Sequence, residues 1–171
     1  MLRQIDRVIL HINRWILIIA MGAMSVVVFA NVVLRYTTGD SILWSEEVAR
    51  YLMIWLTYLG IGPVLRLGGH MAIDTLQDAV GEPRAKYLRG LIVLLMLGFC
   101  LVLVDVGIDF VDRTWVQSTP VTDIPFSFIA AAIPVGFAFT IWHLLAVARG
   151  YVVDKKFEQS SDLDPDQAAS I

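Results

Sequence analysis

Trp44-Ser-Glu-Glu-Val-Ala-Arg-Tyr51 opens a stretch that runs through an apolar segment to Arg66-Leu-Gly-Gly-His70. Glu46, Glu47 and Arg50 crowd the mouth of a run that carries no charge from Tyr51 to Leu65. A soluble core tolerates such a cluster badly, because buried carboxylates and guanidinium groups are costly unless paired. At the rim of a membrane helix the same arrangement is natural. The first turn of a helix favours acids, whose charge meets its free N–H groups. Glu46 also precedes Arg50 in the direction that favours an intrahelical ion pair.

Composition extends the membrane reading to the whole chain. Hydrophobic residues make up 57% and charged residues 17% of the 171 positions, against roughly 45–50% and 25% in soluble domains. Mean hydropathy is +0.70. Four apolar windows carry the excess: Trp15–Leu34, Tyr51–Leu65 with its charged rim, Gly90–Val104 continuing past Asp105, and Ile124–Ala148. A helix needs about 20 residues to cross a ~30 Å hydrocarbon core. The expectation is an all-α integral membrane protein with four transmembrane helices, over about 12–34, 44–65, 89–111 and 124–148, in one domain spanning 1–153.

Lys and Arg counts set the expected orientation. Ten lie in the N-terminal segment, the loop between spans two and three, and the tail; Arg35, Arg50 and Arg113 are the three on the other side. The positive-inside rule then places both termini in the cytoplasm and the Glu46/Glu47/Arg50 rim outside. The first span is too long for a signal peptide and no small-residue cleavage site follows it. The pieces left between spans are too short to bury a core of their own, which excludes a soluble catalytic domain, and the reading is not an enzyme. The single cysteine, Cys100, excludes an internal disulfide.

The polar segments have helical texture. Leu2, Ile5, Ile9 and Ile12 recur on one face of Met1–Arg14, predicting an interfacial helix over about 2–12 that runs into the first span. Residues 71–80 repeat the pattern before Gly81 and Pro83. The tail, 154–171, has little to bury and reads as disordered.

Trp44-x-Glu46-Glu47-x-x-Arg50-Tyr51, then Trp55, Gly60, Arg66-x-Gly68-x-His70 and Asp74-x-x-x-Asp78, resembles the small, DctQ-like permease subunit of tripartite ATP-independent periplasmic (TRAP) transporters. Length and four-span layout match as well, while Pro63 stands where that pattern has a small residue. The resemblance implies a large permease partner that holds the substrate and sodium sites. It also implies a periplasmic receptor that delivers the solute, commonly an organic acid, and a place in the bacterial inner membrane among phospholipids. No cofactor is expected in this chain.

Site residues follow from both readings. Trp44, Glu46, Glu47, Arg50, Tyr51, Trp55, Tyr58 and Gly60 are expected to form a structural latch or subunit interface, with Arg50 paired to a rim carboxylate. Gly60 and Gly62 are expected to permit close helix approach. Arg66, Gly68, His70 and Asp74 form an expected cytoplasmic exit cap. Asp105, Asp109, Asp112 and Arg113, at the outer end of the third span, are a candidate receptor-docking rim. The deep parts of the spans are nearly free of ionisable residues, which argues against ion coupling within this chain. Two alternatives remain. One is a haem or redox anchor using His11 and His143; the other is a free-standing four-helix carrier.

Overall fold

Helix boundaries follow from the residues that stop them. The computed structural model describes residues 2–66 and 84–154. Helix α1 (Leu2–Thr37) ends at Gly39, whose φ of +80° suits a residue without Cβ. The chain then folds back, and Asn31 Oδ1 accepts the Ile42 N–H at 2.7 Å. Helix α2 (Ser45–Arg66) starts on Ser45, with Glu46 and Glu47 in its first turn and Arg66 in its last, so both ends suit the helix dipole. Helix α3 spans Arg84–Thr114.

A tight hairpin follows α3, with Ser118 bridged to Pro125. Thr119 organises it: its N–H donates to Ile124 O at 2.9 Å, and its hydroxyl accepts the Ile124 N–H at 3.0 Å. The last span is broken into α4 (Ser127–Ala130) and α5 (Ala132–Asp154). Pro134 accounts for the break, because it has no N–H to give the Ala130 carbonyl and its ring crowds that position.

All four spans are long and apolar enough to cross a membrane. The 2–12 helix and the first span run together as expected, and α3 differs from its expected bounds. The amphipathic segment 2–12 and the first span form one uninterrupted 36-residue helix, about 54 Å long and well beyond the ~30 Å hydrocarbon core. Helix α3 overshoots 89–111 at both ends. In each case the flanking residues are good helix formers with no Gly or Pro stop, so the backbone continues past the apolar window. The predicted 71–80 helix and the tail lie outside the described residues.

Among the described residues the helices stand in an open row, α1–α2–α5–α3, rather than closing into a ring. α2 and α5 share the central contact, with α1 along the outer side of α2 and α3 along the outer side of α5. Glycines permit the close approaches. A Cβ on Gly136 of α5 would lie 2.6 Å from Tyr58 Cβ, and one on Gly62 of α2 would lie 2.2 Å from His143 Cδ2. Gly60, expected in that role, faces open space. A small core gathers Leu65, Leu144, Val147 and Tyr151 at the end of the row where α2 and α5 finish. Only 6% of the most apolar window of α1 is buried, and most of its side chains are exposed.

Candidate functional site: polar joints at the two ends of α2

Glu47 forms the first joint. It is 6% exposed, and its carboxylate collects three donors from two parts of the chain. Tyr51, one turn later on α2, donates its hydroxyl to Oε1. From the hairpin, Val121 N–H donates to Oε2 at 2.9 Å and the Thr122 hydroxyl to Oε1 at 3.1 Å. A carboxylate accepts readily from several donors at once, so one side chain binds the start of α2 to the α3–α4 connection. Asp123, with φ of 52°, makes the tight turn that brings these donors round.

Its neighbours on the rim behave differently. Glu46 and Arg50 are exposed, and among the described residues Arg50 forms no ion pair with Glu46 or Glu47. The expected Arg50–carboxylate pair is therefore replaced by hydrogen bonds from neutral groups. The physical reason is geometric. Glu47 points along the α2 face shared with Tyr51, Tyr58 and Gly62, toward α5 and the hairpin, while Arg50 points to the surroundings. Trp44 is nearly half exposed at the same rim, and Trp55 is half-buried deeper along α2. Tyr58 stacks edge-to-face on Phe137 of α5, with ring centres 5.9 Å apart.

The second joint sits at the other end of α2, about 28 Å from Glu47 along the helix axis. Arg66, 3% exposed, donates through Nη1 to Asp6 Oδ2 at 3.0 Å and through Nη2 to Asp6 Oδ1. The planar fork suits a carboxylate, and burial makes pairing obligatory. Trp142 of α5 donates its indole N–H to the same Asp6 at 3.2 Å. Arg66 Nε donates to His143 Nδ1 at 2.7 Å, so three helices meet on one guanidinium.

Proline makes this joint deeper than charge alone requires. Pro63 lies inside α2 and has no N–H for the Leu59 carbonyl one turn back. In lipid an unpaired carbonyl must find a donor. Asn13 of α1 supplies it, with Nδ2 3.2 Å from Leu59 O. The same Nδ2 lies 3.3 Å from His143 Nε2. Because a guanidinium only donates, His143 Nδ1 must accept, and the neutral ring then carries its proton on Nε2. That proton faces the Asn13 amide N–H, and two donors cannot bond, so the hydrogen bond of this amide is the one to Leu59 O, and Asn13 Oδ1 is left without a partner among the described residues.

Nearby, Arg89 of α3 is buried and donates through Nε to Val152 O at 3.1 Å, covering a carbonyl in the last turn of α5. The start of α1, the end of α2, the start of α3 and the end of α5 therefore lie at one end of the row, with the Glu47 joint at the other. Asp6, Asn13, Trp142, His143 and Arg89 were not singled out together by sequence. Pro63 is the signal that could have found Asn13, since a proline inside a span calls for an outside donor.

The remaining candidates do not come together. Arg66 is placed as above, whereas Gly68, His70 and Asp74 lie outside the described residues. Asp105, Asp109 and Asp112 are exposed along α3. Arg113 lies 3.6 Å from Asp109, both more than 70% exposed, a separation and exposure at which an ion pair contributes little. His11 Nε2 accepts from Trp15 at 2.8 Å, and His143 Nδ1 accepts from Arg66 at 2.7 Å.

Comparison with known proteins agrees with this architecture. Residues 24–152 match the family model described as tripartite ATP-independent periplasmic transporters, DctQ component. A putative TRAP transporter small permease protein of Haemophilus influenzae is 30% identical over 57% of this chain and 56% of its own length. The ectoine TRAP transporter small permease protein TeaB of Halomonas elongata is 30% identical over 81% of this chain and 73% of its own. The sialic acid TRAP transporter permease protein SiaT of Haemophilus influenzae is 26% identical over 64% of this chain but only 18% of its own length. The chain thus spans little more than half of the first of these relatives and under a fifth of the last. Its match to the family model nevertheless covers three-quarters of the sequence, from the second half of the first span to the end of the fourth, and the chain belongs to the DctQ component family of tripartite ATP-independent periplasmic transporters.

Proposed function

We propose that this chain is the small membrane subunit that braces the large permease subunit of a TRAP secondary transporter. Four spans and family membership make it a multi-pass protein of the bacterial inner membrane. In this reading a periplasmic receptor delivers the solute, an organic acid, and sodium binds in the large subunit and drives uptake. The small subunit contributes a rigid, wide footprint that keeps the static part of the large subunit in place while its transport domain moves.

The observation that carries the proposal is the open row itself. A free-standing carrier needs an enclosed polar path, and a row of helices encloses none. Its polar groups are spent on fastening helix to helix, at Glu47 and at Arg66, and the stretch of α2 between them carries no ionisable side chain deep enough for ion coupling. The outward-facing length of α1 offers apolar surface to a larger neighbour. SiaT supports the same partnership, since there a stretch similar to this chain is a minor part of a longer permease. The ectoine and sialic acid relatives carry similar stretches, so the solute is selected elsewhere in the assembly.

Under the positive-inside rule the Arg66 end faces the cytoplasm and the Glu47 end the periplasm, where the exposed Asp105, Asp109 and Asp112 stand available to the receptor. The test is reconstitution. Liposomes holding this chain alone should take up no organic acid in a sodium gradient, and uptake should appear on adding the large permease and receptor. Uptake by the isolated chain above empty-liposome background would overturn the proposal.

A further inference from the structure

At the Arg66 end, the first turns of α3 and the last turn of α5 leave a groove of about 680 Å³, lined by Lys86, Tyr87, Gly90, Leu91, Leu94 and Val152. That volume is in the range of small-molecule sites, ~300–1,000 Å³. Its walls are apolar except at the mouth, where Lys86 stands. Tyr87 is 81% exposed, Leu91 50% and Leu94 65%. Arg84, Tyr87, Leu91, Leu94 and Gly98 share one helical stripe, so the apolar surface continues down α3 from a charged crown. Gly90 and Gly98 have nothing within 4 Å of a would-be Cβ, which deepens the channel along this face.

Among the described residues the charges at the mouth have no acid to meet. Among the described residues neither Arg84 nor Lys86 makes an ion pair or hydrogen bond, and both are exposed. Arg89, the third cation of this turn, is turned inward to Val152 O. The result is two cations above an apolar channel that opens sideways, with an amphipathic tyrosine at the level where headgroups lie.

We propose that this groove seats one anionic phospholipid, an acyl chain lying along Leu91 and Leu94 and the phosphate against Lys86 and Arg84. A zwitterionic lipid supplies the same chain but no net charge, so the two cations give the site its preference. Each cation close to an anionic surface strengthens attraction severalfold, and two together give roughly tenfold or more after screening. The inference concerns this chain's own surface and stands apart from the role proposed above.

The test uses the purified full-length chain in detergent with phosphatidylglycerol and phosphatidylcholine as probes, and native mass spectrometry to count retained lipid. Wild type should retain one phosphatidylglycerol with about tenfold preference over phosphatidylcholine. The double variant Arg84→Gln/Lys86→Gln should lose the preference while keeping its fold, because both side chains are exposed. Gly90→Leu, which fills the groove without meeting backbone, should release both lipids. Arg113→Gln, at the opposite end of α3, should change neither. Equal retention of the two lipids by wild type, unaltered preference in the double variant, or wild-type retention in Gly90→Leu would each overturn the proposal.

Discussion

Asn13→Ala should destabilise the protein, and Pro63→Ala should relieve most of that loss. In wild type the Leu59 carbonyl has no helical donor, because position 63 is proline, and the Asn13 amide fills the gap at 3.2 Å. Removing the amide leaves a carbonyl unsatisfied away from water. Such groups cost about 1–3 kcal/mol, and hydrogen bonds between membrane helices contribute from ~0.6 up to ~1.7 kcal/mol. A loss of about 1–2 kcal/mol is therefore expected. With alanine at 63, the backbone N–H closes the i to i+4 bond and the carbonyl no longer depends on α1. Asn13→Ala should then cost below about 0.5 kcal/mol more than its parent, giving a coupling near 1 kcal/mol. Unfolding of the four proteins of this cycle can be followed by circular dichroism in mixed micelles of rising sodium dodecyl sulfate. Equal costs of Asn13→Ala in both backgrounds would refute the argument.

Three further outcomes are expected. Glu47→Ala should lower folded yield and melting temperature more than Glu46→Ala or Arg50→Ala, since only Glu47 gathers Tyr51, Val121 and Thr122; near-equal effects of the three in one detergent would remove the joint. Substituting alanine at Gly62 or Gly136 should cost roughly 1–3 kcal/mol through forced repacking, while Gly60→Ala, facing open space, should be neutral or slightly stabilising; a reversed order by the same denaturation assay contradicts the packing described. Reporter fusions after Tyr151 should signal cytoplasm and those near Thr38 or Thr119 periplasm; a periplasmic signal from the C-terminal side would invert the orientation.

Much of the fold is written in hydropathy. Windows as apolar as Trp15–Leu34 admit few structures other than a spanning helix, because lipid leaves backbone groups no other partner. The charged rim, the aromatic spacing and the Arg66 exit also carry the family pattern, so the broad role is legible too. The joints are less so. Glu47 finds its hairpin partners 74 and 75 residues away, one of them a backbone N–H that belongs to no motif. Arg50 looks like the natural partner because it lies on the same short stretch, yet helix geometry turns it away from the face that Glu47 shares with α5. His143 and Asn13, 130 residues apart, meet only once the row is assembled. The extent of α3 was underread because the apolar window was taken as the helix, whereas the backbone continues wherever nothing stops it.

Fastening at both ends has a mechanical consequence for how the protein meets a bilayer of changing thickness. A lone span adapts by tilting independently of its neighbours. Here α2 is tied to the hairpin at one surface and to α1 and α5 at the other, with the ties set about one hydrocarbon thickness apart. No helix in the centre of the row can lean without tearing a tie or dragging its neighbours with it. Thinning or thickening of the membrane is therefore answered by rotation of the whole slab, and any larger protein resting against that slab receives the change as a single turning force.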